Sequence, residues 1–266
     1  MTCMLNFDGK KYLPGKSFQW RGNAGDFAFG LDEQQIRFFK EIINKHAIQK
    51  VLDVFCGNGE LAVLLAQWDK DVTVFVPEPL LIKEINSKSI QAGVKLGICL
   101  GDMRDISALY REQCGLIVCL QNSLSCLLSK EDICGTLAQM YLKLKPGGVL
   151  VMHTLNYDYL LKRDHCPVSV LERQHAGLKI KLWLKPGKER EKAKLIFDVV
   201  PADGKNGAHP GPGEEIIVPV RPLFKKELDL WLTELGYKKI KSYGWFDCKT
   251  ALNNSCHRIT VASRPG

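Results

Sequence analysis

No apolar run in this chain approaches the roughly 20 residues that a membrane-spanning helix requires, so no membrane partner is expected. The opening Met1-Thr-Cys-Met-Leu-Asn lacks both a basic start and an apolar core, so no signal peptide is expected. C-x-x-C pairs are absent, and neither Cys114-x4-Cys119 nor Cys248-x7-Cys256-His257 has zinc spacing. The chain has ten cysteines. Yet Cys56, Cys99, Cys119 and Cys126 sit in or beside apolar runs, where a free thiol acts as a small hydrophobe. The expectation is a reduced, cytoplasmic protein with no metal site and no disulfide. Internal repeats and coiled-coil heptads are also missing, which excludes solenoids and long coiled coils.

What is present is ordinary for a globular chain. Hydrophobic residues make up 45% and charged residues 25% of 266 positions, enough for one large α/β domain or one domain with an insertion. The formal charge of +8 raises the prospect of a nucleic-acid or acidic partner. The lysines, however, are scattered. Lys179, Lys181, Lys185, Lys192 and Lys194, and later Lys238, Lys239 and Lys241, fall largely between apolar residues, as a half-exposed sheet requires. A solvated face is the expected account.

Periodicity divides the chain into segments. Residues 1–30 are rich in glycine and aromatics (Phe7, Tyr12, Phe18, Trp20, Phe27, Phe29), and a lid or substrate-facing arm is expected there. Ile36, Phe39, Ile42 and Ile43 have helix spacing. Strands are then expected at 51–55, 72–76, 96–100, 115–120 and 147–154, with helices at 60–68, 80–92, 104–111 and 130–143. Pro146-Gly147-Gly148 reads as a turn feeding the fifth strand. That alternation predicts a parallel sheet with helices on both faces. After Asn156 the period changes to two, as in Leu178–Lys185, and an antiparallel insertion of about three strands is expected, with a loop near 201–213. A helix at 224–235 and strands at 237–246 and 256–263 complete the core. The expected divisions are an arm at 1–30, a core at 31–156, the insertion at 157–222, and the rest of the core at 223–266.

The most informative stretch is Val51-Leu-Asp-Val-Phe-Cys-Gly-Asn-Gly-Glu60: a buried strand, a turn with two glycines, then a helix. Glycines let a ligand approach the backbone, and the N–H groups opening the helix favour an anionic group. Asp53 can accept hydrogen bonds from an ammonium or from the loop's own amides. The third glycine of a dinucleotide fingerprint is replaced by Ala62. The second strand ends Val76-Pro-Glu-Pro79, the third leads into Gly101-Asp-Met-Arg-Asp105, the fourth into Gln121-Asn-Ser123, and the fifth into Leu155-Asn-Tyr-Asp-Tyr-Leu160.

Taken together, these segments resemble the class I S-adenosylmethionine-dependent methyltransferases over roughly residues 30 to 265. Leu155-Asn-Tyr-Asp-Tyr-Leu160 resembles a branch that includes glycine and sarcosine N-methyltransferases and uncharacterised small-molecule relatives. The resemblance implies an α/β fold with a seven-stranded Rossmann-like sheet, order 3-2-1-4-5-7-6, carrying an antiparallel insertion after strand five. It implies S-adenosylmethionine as cofactor and S-adenosylhomocysteine as product. Asp53, Cys56, Gly57, Asn58, Gly59, Glu78, Asp102, Met103 and Gln121 are the implied cofactor contacts. Val76 stands where the family places a ribose-binding acid, and Glu78 lies two residues later. Asn122, Asn156, Tyr157 and Arg221 are candidate substrate contacts, and Tyr157 or His153 a candidate proton acceptor; the catalytic residue itself stays unassigned. The expected reaction is in-line methyl transfer to a small molecule, plausibly an amine, with positioning and desolvation carrying most of the catalysis. Two alternatives stay open: an RNA methyltransferase, and a non-catalytic relative that only binds.

Overall fold

The computed structural model describes residues 31–162, 168–175, 178–201 and 214–266. The aromatic arm at 1–30 and all but the first residue of the 201–213 loop lie outside the described residues. The first described helix is α1 (Glu33–Lys45). There follow β1 (Lys50–Val54), α2 (Glu60–Gln67), β2 (Asp71–Val76), α3 (Pro79–Gln91), β3 (Gly97–Leu100), β4 (Cys114–Cys119), α4 (Lys130–Lys143) and β5 (Leu144–Leu155). Strands β6 (Val168–His175), β7 (Leu178–Pro186), β8 (Ala193–Pro201) and β9 (Glu214–Val220) come next, then α5 (Lys225–Glu234), β10 (Lys238–Tyr243) and β11 (His257–Ser263).

The main sheet has seven strands in the order β10-β11-β5-β4-β1-β2-β3. Its five strands from β3 to β5 are parallel, and β11 and β10 add antiparallel at one edge. This is the expected order 3-2-1-4-5-7-6, with β11 and β10 as the last two strands. β6-β7-β8-β9 form a separate antiparallel sheet. That sheet has four strands where about three were expected. The missed strand is β6, because a bulge between Ser169 and Leu171 breaks its period-two pattern. Pro146-Gly147-Gly148 falls within β5, in a register irregularity that carries the strand from Leu144 to Val149. The helix expected at 104–111 is a 3-10 turn (Met103–Asp105) followed by one helical turn (Ile106–Leu109), closed by extended Tyr110.

Alternation along the strands sends side chains to two cores. Val51, Val74, Val118, Val151 and Ile259 pack under α1, α2 and α3 with Phe39, Leu65 and Ile85. Leu52, Ile117, Leu150 and Met152 pack on the opposite face with Leu137, Trp231 and the inner residues of the second sheet, Leu182, Leu195, Phe197 and Val220. The insertion thus shares the core of the main sheet. Period two also puts Asp53 on the face of Val51, His153 on that of Val151, and His257 on that of Ile259, all toward α1 and α2.

Candidate functional site

Strand order reverses between β1 and β4, and in an open α/β sheet a ligand crevice lies outside the carboxyl ends of such a pair. A small cleft, open to solvent, sits at that point. Asp53, Phe55, Cys56 and Asn58 line it from the β1 side, Leu120 and Gln121 from the β4 side, with Gln35 and His153 closing it. The backbone at both strand ends is strained. Phe55 (φ 67°), Gln121 (φ 56°) and Asn122 (φ 61°) are all left-handed, a conformation that costs a side-chain-bearing residue roughly 1–2 kcal/mol. Left-handed Gly57 and Gly59 make the turn between β1 and α2. At Gly59 a Cβ would also lie 2.9 Å from Ile85 Cγ1 on α3, so this glycine lets α2 and α3 pack closely. Asn58 Oδ1 accepts from the Glu60 N–H at 3.0 Å and orders the start of α2.

Asp53 is buried at the floor of the cleft. Burial pushes its carboxyl up to about 7, and no described donor or cation offsets that cost. An acid so placed is matched by a ligand cation, and the glycine turn with the α2 N-terminus suits a carboxylate. The pair matches the zwitterionic methionyl end of S-adenosylmethionine.

Comparison with known proteins agrees with this geometry. Residues 51–148 match the family model described as a methyltransferase domain. A solved S-adenosylmethionine-dependent methyltransferase from Clostridium acetobutylicum superposes with a TM-score of 0.76 at 14% identity, covering 94% of this chain and 99% of that one. The chain has the class I S-adenosylmethionine-dependent methyltransferase fold. Among curated relatives, the glycine/sarcosine N-methyltransferase of Aphanothece halophytica is 30% identical over 125 residues, 47% of each protein. That of Halorhodospira halochloris is 27% identical over 220 residues, 79% of this chain and 73% of the relative. The chain thus spans about half the length of the first of these relatives and nearly three quarters of the second.

Within this methyltransferase fold, Asp53, Cys56, Asn58 and Gln121 fall on the cleft, and Gly57 and Gly59 shape its turn. Glu78 is the N-cap residue of α3, half-buried, just past β2. Val76, at the usual position of the ribose acid, is fully buried and its carbonyl accepts from Gly101 N–H at 2.9 Å. Asp102 caps the 3-10 turn and accepts from the Arg104 backbone and guanidinium, each contact at 2.9 Å. Burial alone would raise its carboxyl, but the Arg104 hydrogen bonds outweigh that and hold it below its usual range. Met103 is buried beside it. The buried acid and the glycine turn therefore suit a zwitterionic ligand end, while Glu78, the acid after β2, stands two residues beyond the expected position.

The four substrate candidates are not gathered on the cleft. Asn122 and Tyr157 are buried against each other, Asn122 Nδ2 donating to Tyr157 Oη at 2.9 Å. Burial also raises the Tyr157 phenol, so it holds its proton at neutral pH. Asn156 donates to the carbonyls of Leu252 (2.6 Å) and Ser255 (2.9 Å), fastening the loop before β11. Arg221, also buried, pairs with Glu191 at 3.0 Å and Glu227 at 2.8 Å, tying the second sheet to α5. Leu31, Gln35, Phe55, Glu60, Leu61 and Leu120 line the cleft without having been singled out in the sequence. Of these only Gln35 carried a signal: Asp32 and Gln35 have the spacing of a capping box, which the structure forms.

Gly59→Ala tests the turn. It adds strain at φ 77° and a contact inside van der Waals range at Ile85. The expected loss is about 2–4 kcal/mol of stability in urea unfolding. S-adenosylhomocysteine affinity should drop at least tenfold in calorimetry; an unchanged affinity would detach the turn from the ligand.

Proposed function

We propose that the chain transfers a methyl group from S-adenosylmethionine to a nitrogen of a small molecule. The observation that carries this reading is the uncompensated buried Asp53 at the floor of a cleft, beside a glycine turn and a helix N-terminus. On this reading residues 31–156 and 223–266 form the cofactor-binding core and 157–222 the insertion. Asp53 holds the ammonium, and the turn from Cys56 to Gly59 with the start of α2 holds the carboxylate. Glu78 takes the ribose, and Asp102 with Met103 borders the adenine. When bound, the cofactor supplies an electrophilic methyl on a sulfonium. The protein's part is to hold the acceptor in line, keep water out and manage the acceptor's proton. Asn122, Asn156, Tyr157 and Arg221 act on the acceptor indirectly, by fixing the walls that face it.

The amine class is supported by the names of the relatives, which are N-methyltransferases of glycine and sarcosine. Among the described residues no helix is long and apolar enough to cross a membrane. The absence of C-x-x-C pairs from the sequence supports a reducing, cytoplasmic setting. The test is calorimetric titration with S-adenosylmethionine and S-adenosylhomocysteine, followed by turnover on a panel of primary and secondary amines. Micromolar binding is the expected result. No heat at millimolar ligand would overturn the reading and leave Val76 as the mark of a chain that has lost its cofactor.

A further inference from the structure

His153 and His257 form a hydrogen-bonded pair at the cleft wall. His153 lies on β5, buried, and walls the cleft. His257 opens β11, half-exposed. Ile259 is the register partner of His153, so His257 is its diagonal neighbour on the same sheet face. Their rings approach with His153 Nε2 3.1 Å from His257 Nδ1, a hydrogen bond. Two neutral imidazoles can make that bond only if one nitrogen carries a proton and the other accepts it. Trp245 packs on both rings, its centroid 5.8 Å from that of His153 and 4.7 Å from that of His257, and Phe246 closes on His153 at 6.0 Å. Trp245 is itself fixed by its indole N–H, which donates to Asp32 Oδ2 at 3.1 Å. A histidine kept only for packing would not need a second histidine leading from the cleft wall toward solvent.

We propose that His153 and His257 form a proton exit from the methyl-transfer site, His153 taking the proton of the acceptor ammonium and His257 passing one on to water. This rests on the methyl-transfer reading above. The acceptor N–H proton goes to His153 Nδ1. The proton on His153 Nε2 moves to His257 Nδ1, and His257 Nε2 releases its own to solvent. One proton enters, one leaves, and the bond between the rings persists with its direction reversed. Exchange with water restores the starting tautomers between turnovers. The charged groups near His153 are His257 from β11, Asp53 from β1 and Glu60 from α2 across the cleft, and Asp32 behind Trp245. Burial, and then His257, holds His153 well below its ordinary range, so it stands neutral, and the relay passes the proton on without an imidazolium.

The experiment compares wild type with H257N and H153Q. In H257N the amide oxygen can still accept from His153 Nε2 but cannot pass a proton on. H257N is expected to keep the melting temperature and S-adenosylhomocysteine affinity of wild type while kcat falls about 100-fold, at the lower end of what acid–base catalysis contributes. The solvent deuterium effect on kcat should grow with it, because proton removal then limits turnover. An H257N enzyme with the wild-type rate and pH profile overturns the relay. A second readout needs no acceptor: long-range proton–nitrogen NMR should show one proton shared between His153 Nε2 and His257 Nδ1, and two independently titrating rings overturn the proposal. Absence of S-adenosylhomocysteine binding in wild type would instead be the failure of the methyl-transfer reading.

Discussion

Replacing Asp53 by Asn is expected to make the free protein more stable at pH 8 and the cofactor complex weaker. Burial raises the folded-state carboxyl to about 7, whereas in the unfolded chain it ionises near its model value of 3.8. Between those values the folded state binds more protons than the unfolded state, so stability falls as pH rises. The contribution of protonated Asp53 is fully present below the unfolded value and is gone once pH has passed the folded one. At about 1.4 kcal/mol per pH unit, the ceiling on this loss is about 4 kcal/mol. Asn has nearly the same shape and no such proton linkage. Urea unfolding at pH 5 to 8 should therefore show the wild-type curve sinking away from that of D53N, with the gap constant above about pH 7.5. S-adenosylhomocysteine affinity should move the other way, at least tenfold weaker in D53N, because an amide offers its ligand ammonium no charge. Wild-type binding near pH 6.5 should also release protons, measurable as a dependence of calorimetric heat on the buffer's ionisation enthalpy. Parallel stability curves would show that Asp53 is ionised in the free protein. The cost is an expected feature of a binding site: a group placed for its ligand is badly placed without it.

The fold was largely legible in the sequence because its strands are short, buried and separated by helices of clear period. The five parallel strands and their order follow from that alternation and from the family likeness. Legibility failed where local geometry departs from regular repeats. β6 was missed because its bulge shifts the period, and the 104–111 helix was overextended because Tyr110 leaves the helix in an extended conformation to enter the core. The cleft between β1 and β4 was half legible. Asp53, Cys56 and Asn58 announce themselves by strand, turn and spacing, but Gln35 and Leu31 reach the cleft from α1 and its approach, far away in sequence. The substrate candidates show the opposite limit. Polar residues at the carboxyl end of a strand can face a ligand or fasten the backbone, and nothing in the order of residues says which. Asn156, with both amide hydrogens given to the 252–255 loop, is a fastener in this structure. Its link from β5 to that loop also steadies the segment holding Trp245 and Phe246 over His153.

Asn122 is the strongest such fastener, and Asn122→Ala is expected to unfold the protein at markedly lower temperature. Its Oδ1 accepts from the Leu155 backbone N–H at 2.9 Å and from Ser125 Oγ at 3.0 Å, while its amide donates to Tyr157 Oη. The side chain is 1% exposed, so water cannot replace these bonds in place. Alanine leaves the Leu155 N–H without its partner, at a cost of about 1–3 kcal/mol. It must also hold φ near 61°, which Asn tolerates better than other side chains do. The sum is about 3–5 kcal/mol, or a fall in melting temperature of roughly 8–15 °C for a chain of this size. Tyr157→Phe takes away the Oη that accepts from Asn122 and leaves that buried amide donor without its partner, so about 1–3 kcal/mol is expected. The pair of variants also decides what Tyr157 does. If it only braces Asn122, Y157F turns over amines at nearly the wild-type rate; if it accepts the substrate proton, Y157F loses activity while staying folded. The first outcome is expected, because the phenol is buried against Asn122 and its proton is held above neutral pH. Gln121, which lines the cleft, stands one residue before Asn122 in the same left-handed segment. Loss of the clamp should therefore loosen the cleft wall as well as the core, and N122A should bind S-adenosylhomocysteine more weakly even at temperatures where it stays folded.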